Sequence, residues 1–107
     1  MKTPDAIRAD VVTALQNVID PETGSDVVRM RLIQDLVVDP QGGVSYVFRP
    51  SSPLCPIALT LVLAIIEAIK TIPEVSDQSV TVKDYAGADE LNRILATLPL
   101  RRPGKNQ

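Results

Sequence analysis

Histidine is absent from the 107 residues, which excludes a His-based zinc site, a Ser-His-Asp triad and an imidazole general base. Cys55 is the single cysteine, so neither an internal disulfide nor a four-cysteine metal site can form within one chain. Aromatic residues make up 3% (Tyr46, Phe48 and Tyr85), too few for a platform on which nucleic-acid bases would stack. Charge of either sign is close to balance: eleven Lys+Arg against thirteen Asp+Glu leave a net −2, with no basic footprint for nucleic acid. The most apolar stretch, Leu54 to Ile66, is thirteen residues long, short of the roughly 20 that span a bilayer. Met1 to Asp5 lacks the apolar segment of a secretory signal, and with the free thiol this points to a reducing cytoplasm.

What remains is the composition of an ordinary globular domain, 45% hydrophobic and 22% charged, of a length that supports one core. Residues 1–100 are expected to form that domain and residues 101–107 a basic tail. Thr3 followed by Pro4 reads as a helix N-cap with proline in the first turn. Ile7, Val11, Ala14, Leu15 and Val18 then recur on one face, which predicts a helix over 4–19 ended by Pro21. The segment Asp20 to Asp26 is turn chemistry. A strand is expected over 31–39, with Leu32, Leu36 and Val38 on one face and Ile33, Asp35 and Val37 on the other. Asp39-Pro40-Gln41-Gly42-Gly43 signals a hairpin, and 44–49 the return strand with Val44, Tyr46 and Phe48 together.

Three prolines, Pro50, Pro53 and Pro56, then fix a strand-to-helix junction. The helix beyond it is apolar around most of its circumference, its polar stripe limited to Thr60, Glu67 and Thr71. It needs cover on more than one side, from a partner helix, a second copy or a target protein. Pro73 ends it, 79–84 alternates as a third strand with Val80 and Val82 inward, and 88–98 reads as a short helix with Leu91, Ile94, Leu95 and Leu98 on one face. The order α-β-β-α-β-α gives a two-layer α+β domain with a small three-stranded mixed sheet.

Chemistry centres on Cys55. Placed at the start of the long helix, its thiol would meet unpaired N–H groups and the helix dipole, which favour the thiolate that ligates metals. The bland alternative is a small buried hydrophobe, the usual fate of free cysteine. Ser51 and Ser52 stand close enough in sequence to bond a thiolate or ligand, although helix capping is the commoner use of such serines. Asp20 and Glu22 offer a metal or acid–base pair, or simply a turn residue and a solvated one. Asp35 reads equally as an outward polar residue or a buried carboxylate near Cys55.

These pieces together resemble a known family. Asp20-Pro21-Glu22 with Gly24, then Val27-Val28 to Ile33, then Pro50-Ser51-Ser52-Pro53-Leu54-Cys55-Pro56, then Pro73-Glu74-Val75 are similar in order and spacing to the DPE-x-G, IV-x-LGLI, P-T-x-P-x-CP and PGV segments of the iron–sulfur cluster assembly domain, the metal–sulfur cluster biosynthesis proteins of the SufT and PaaD type. The resemblance runs from about Ile7 to Lys83. It departs where Arg31 and Glu74 replace family glycines, where serines replace the threonine, and after Tyr85, where a tryptophan-containing segment of many relatives is missing.

The resemblance implies an accessory role in iron–sulfur protein maturation, as adaptor, targeting factor or transient carrier, rather than an enzyme. It implies Cys55 as the metal ligand, with Asp20, Ser51 and Ser52 supporting the site, and client apoproteins or assembly scaffolds as partners. A cluster needs about four ligands and one chain offers one thiolate, so a homodimer, a small thiol or the client must supply the rest. Two other readings compete: an interaction module built on the apolar helix, and a thiol enzyme with Cys55 activated by the helix terminus and Arg31 or Arg49.

Overall fold

The computed structural model describes residues 3–98, which form three helices and a three-stranded sheet in the expected order. Helix α1 spans Pro4–Leu15, strand β1 Ile33–Val38, strand β2 Gly43–Phe48, helix α2 Ala58–Lys70, strand β3 Asp77–Val82 and helix α3 Ala88–Ala96. The sheet is mixed in the order β1-β2-β3. The hairpin makes β1 and β2 antiparallel, and the α2 crossover makes β2 and β3 parallel, as a parallel pair requires. The 101–107 tail lies outside the described residues.

One face of the sheet carries Val44, Tyr46, Phe48, Gln78 and Val82, all buried, while Ser45, Ser79 and Thr81 on the other face are exposed. Against the buried face lies α2, with Leu61, Val62, Ile65, Ile66 and Ile69 inward at helical spacing. Helix α1 packs on α2 and β1 through Ile7, Val11 and Leu15. Its N-cap is Thr3, whose hydroxyl accepts a hydrogen bond from the Ala6 N–H at 3.2 Å, with Pro4 in the first turn. Helix α1 is the partner helix that covers a second side of α2, while Leu59 and Leu63 stay partly exposed on its outer face.

Four expectations need correction. Helix α1 stops at Leu15 rather than near Ile19. Pro21 keeps Asp20 out of the helical region, and residues 18–20 pair instead with 25–27: Ile19 bridges Asp26, the Asp20 N–H donates to the Ser25 carbonyl, and the Val27 N–H to that of Val18. Strand β1 does not alternate simply. Ile33 faces Phe48 and Val38 faces Val44, so a bulge leaves Asp35 and Leu36 together opposite Tyr46. Asp35 takes φ 53° there and points to solvent, which moves Ile33 to the face of Phe48. Strand β3 starts two residues early, at Asp77, because Gln78 is a core residue. On α3, Leu91 and Leu95 are buried but Ile94 is exposed.

Gln78 is tolerated in the core because both ends of its amide are hydrogen-bonded. Its Oε1 accepts from the Tyr46 hydroxyl at 2.8 Å, and its Nε2 donates to the Ile66 carbonyl at 3.1 Å, joining β2, β3 and α2. Burial pushes the Tyr46 hydroxyl pKa well above its ordinary value, keeping it a neutral donor.

The outer edge of β3 is closed by α3. The Asn92 side-chain oxygen accepts from the Val82 N–H at 2.8 Å, and its amide nitrogen donates to the Val82 carbonyl at 3.1 Å, taking the place of a neighbouring strand. Asn92→Ala leaves both half-buried backbone groups unpaired and is expected to cost about 1–3 kcal/mol. Urea unfolding against Asn92→Gln and wild type measures it, and an unchanged midpoint would refute the edge-closing role.

Candidate functional site

Because β2 and β3 run parallel, the loops that follow them emerge at one end of the sheet, where antiparallel β1 also begins. Ligand sites in open α/β sheets gather at such strand ends. Backbone hydrogen bonds stitch the three segments together. The Arg49 N–H donates to the Leu32 carbonyl at 2.8 Å, the Lys83 N–H to that of Phe48 at 3.1 Å, and the Ala86 N–H to that of Pro53 at 2.8 Å. Between them opens a concave site of about 450 Å³, within the usual range for small-molecule pockets. Its polar wall includes Arg31, Arg49, Ser51 and Asp84, and its apolar wall Met30, Leu32, Pro50 and Pro53.

Two of the lining residues have left-handed backbone, Arg31 at φ 60° and Asp84 at φ 55°. Aspartate adopts that region more readily than most residues, whereas arginine does so at a cost of about 1–2 kcal/mol. The Arg49 Nε donates to the Asp84 carboxylate at 2.7 Å. Both partners are about half exposed, so the pair orders the rim more than it stabilises the fold.

Cys55 is 3% exposed and belongs to the hydrophobic core. It does not line the cavity and lies three residues before the first residue of α2, beyond the N-cap Ile57. The expected placement at the start of the long helix is therefore corrected: Pro53 and Pro56 carry the chain through a self-bonded loop before the helix begins at Ala58. In that loop the Ser52 carbonyl accepts from the Cys55 N–H at 3.2 Å, and the Ser52 hydroxyl accepts from the Leu54 N–H at 3.2 Å. Neither serine caps α2, whose N-cap has no side-chain hydrogen bond. Ser51 and Ser52 are exposed, with Ser51 at the cavity wall.

Asp20 is 1% exposed. Its carboxylate accepts from the Glu22 N–H at 2.8 Å, and its carbonyl accepts from the Thr23 and Gly24 N–H groups at 3.3 and 2.7 Å. Gly24, at φ 75°, completes the turn. Glu22 is solvated, and among the described residues Asp20 forms no hydrogen bond with the Cys55 loop. Among the described residues no three Cys, Asp or Glu side chains cluster as a metal site. The structure thus joins Ser51, Ser52 and Cys55 in one loop and gives Asp20 to another. Gln34 and Asp84 are polar cavity residues that the sequence reading passed over; the signal for Asp84 was an acidic residue, tolerant of left-handed backbone, two places beyond the third strand.

The model of the family described as iron–sulfur cluster assembly protein matches residues 8–82, which include both the Asp20 turn and the Cys55 loop. The chain belongs to the iron–sulfur cluster assembly protein family. It is similar to the Fe–S protein maturation auxiliary factor YitW of Bacillus subtilis, with 32% identity over 78 residues, 73% of this chain and 76% of YitW. An uncharacterized protein of Methanocaldococcus jannaschii is 33% identical over 88 residues, 82% of this chain and 93% of the relative. The crystal structure of a domain of unknown function, DUF59, from Bacillus anthracis shares the fold with a TM-score of 0.70 and 24% identity, over 89% of this chain and 96% of that one.

The left-handed backbone at Arg31 agrees with the glycine that the resemblance leads one to expect there, since glycine adopts φ near +60° without strain. Arg31→Gly is expected to leave stability unchanged or raise it by up to about 1 kcal/mol, the relief of strain being partly offset by unfolded-state entropy. Arg31→Val should lose about 1 kcal/mol or more, because a β-branched side chain tolerates this region worst. Chemical denaturation of the two variants checks the order. For Asp20, removing the buried acceptor with Asp20→Ala should cost about 1–3 kcal/mol, while Asp20→Asn keeps an oxygen for the Glu22 N–H and costs less. Equal losses would show that the turn depends on the charge instead.

Proposed function

We propose that this protein is a non-catalytic accessory factor of iron–sulfur protein maturation, which holds or hands on a cluster through Cys55 while engaging client apoproteins or an assembly scaffold. The observation that carries this reading is the family match over residues 8–82, with the chain's single thiol held in the proline-braced 50–56 loop inside that span. The cluster is cargo. One thiolate cannot complete its coordination, so a second copy, a small thiol or the client contributes ligands, and coordination of that kind is labile enough for transfer. In this reading Asp20 contributes from its own turn, separate from the Cys55 loop, and Ser51 and Ser52 contribute from the loop itself.

Cys55 is covered in the folded chain, so ligation requires the 50–56 loop to open. The loop's hydrogen bonds are few: Cys55 and Leu54 to Ser52 within it, and Ala86 to Pro53 across to the 83–87 loop, each contributing about 1 kcal/mol. Helix α2 starts only at Ala58, so the opening need not unwind the helix, although it withdraws Cys55 from the core that α2 shares. A reducing cytoplasm suits a free thiol. Among the described residues no helix is long and apolar enough to cross a membrane.

Anaerobic reconstitution with iron and sulfide tests the reading, with bound iron, sulfide and molecular size measured for wild type, Cys55→Ser and Cys55→Ala. Wild type should gain a labile cluster that both variants lose. Because Cys55 is buried, serine brings a hydroxyl without a partner and should cost about 1–3 kcal/mol. The alanine variant separates that packing loss from loss of the ligand. Cluster binding that survives in a folded Cys55→Ala would overturn the role of the thiol. Absence of a cluster from every folded form would leave an adaptor that recognises clients.

A further inference from the structure

We propose that the cavity at the strand ends binds the carboxylate of a singly charged organic acid with an apolar body, and that Arg31 is its principal donor. The cavity contains neither Cys55 nor Asp20 but shares Pro50, Ser51 and Pro53 with the loop of the cluster-transfer reading. Carboxylate binding by Arg31 is read without iron or sulfide, so the two readings fail separately. It rests on the state of the charged groups in the wall. Arg49 is already paired with Asp84 through Nε. Among the described residues nothing pairs with the Arg31 guanidinium or bonds the Ser51 hydroxyl. Arg31 and Ser51 are solvent-exposed and their side chains have no protein partner among the described residues, which leaves them open to a ligand. A planar guanidinium matches a carboxylate through two parallel hydrogen bonds.

Charge and lining then select the class of ligand. Two arginines and one aspartate leave the cavity one positive charge, on a chain whose net charge is −2. A monoanion balances that excess. A phosphate dianion would overshoot it and approach the Asp84 carboxylate. The apolar part of the wall is the smaller one, Met30 and Pro53 beside the buried Leu32 and Pro50, and it gives a short hydrocarbon body a contact that a small hydrated ion would not use. Arg31 reaches this position only by holding φ 60°, and strain of this kind gathers at ligand sites. Such a carboxylate has two sources, a free organic acid or the C-terminus of a polypeptide ending in an apolar residue.

The test uses the full chain, labelled with nitrogen-15, and follows amide shifts during titration with hexanoate, with a short leucine-ended peptide in free and C-amidated forms, and with inorganic phosphate. Hexanoate or the free peptide should bind saturably, shifting the amides of residues 30–34, 49, 51, 52 and 84, and amidation should abolish binding of the peptide. Tighter binding of the peptide than of hexanoate identifies a polypeptide terminus as the source; equal or weaker binding identifies a free acid. Arg31→Gly, which the backbone accommodates, should stay folded and weaken binding by about tenfold or more. The proposal fails if neither carboxylate saturates, if phosphate binds as tightly, or if Arg31→Gly binds as well as wild type.

Discussion

The parallel pairing of β2 with β3, in register from Gly43 opposite Asp77 to Phe48 opposite Val82, is the constraint on which the rest of the molecule depends. A parallel pair cannot be closed by a tight turn, so the chain between the strands must cross over, and α2 is that crossover. Its inward residues need a sheet face to bury them, and Val44, Tyr46, Phe48 and Val82 supply it. The Tyr46–Gln78–Ile66 chain of hydrogen bonds fixes both strands and the helix to one another at the level of single atoms. A buried polar group that misses its partner is costly, so this chain disfavours slippage of the pair. The same pairing sends the 49–57 and 83–87 loops out at one end, and the cavity follows from it.

The features legible in the sequence are those carried by periodicity and by turn chemistry. Thr3-Pro4 marks where α1 begins, Asp39 to Gly43 marks the hairpin, and the apolar spacing of α2 marks its buried face. In the hairpin, Asp39 accepts from the Gln41 and Gly43 N–H groups as turn aspartates do. The illegible features arise where hydrogen bonding between distant residues overrides local pattern. Val18 looks helical by spacing, yet its carbonyl is claimed by Val27. The bulge at Asp35 changes the face of Ile33 with no proline or glycine to announce it. Gln78 looks like a loop residue until Tyr46, 32 positions away, gives its amide a partner. In the site, the Cys55 loop was visible through its prolines. The cavity was not, because its walls come from three segments that only the tertiary fold brings together.

Arg31 shows how one residue can depart from a family pattern without loss of the fold. The backbone turn between Val28 and Leu32, closed by the bonds of Arg31 to Val28 and of Leu32 to Val27, demands left-handed backbone whatever the side chain. Glycine meets that demand without strain and contributes nothing to the cavity. Arginine meets it at a cost and places a cation in the wall. A cost of about 1–2 kcal/mol is a sizeable part of the 5–15 kcal/mol typical of such domains, and no described side chain offsets it by pairing with the guanidinium. The offset is therefore sought outside the chain, in what the cavity binds.

The burial of Cys55 bears on the proposed role in the same way. Oxidation of thiols follows exposure and thiolate character, so a thiol covered by its own loop is shielded while no cargo is present. A thiol sealed within α2 would be equally shielded but would open only with the core. Cys55 combines cover with a loop that is tied at few points and ends before the helix begins. Local opening of such a segment requires much less free energy than global unfolding. In the proposed reading, the prolines at 50, 53 and 56 complete the arrangement, since a loop with restricted backbone loses little entropy on closing again. The thiol can then be uncovered for ligation and returned to the core afterwards without passing through an unfolded state.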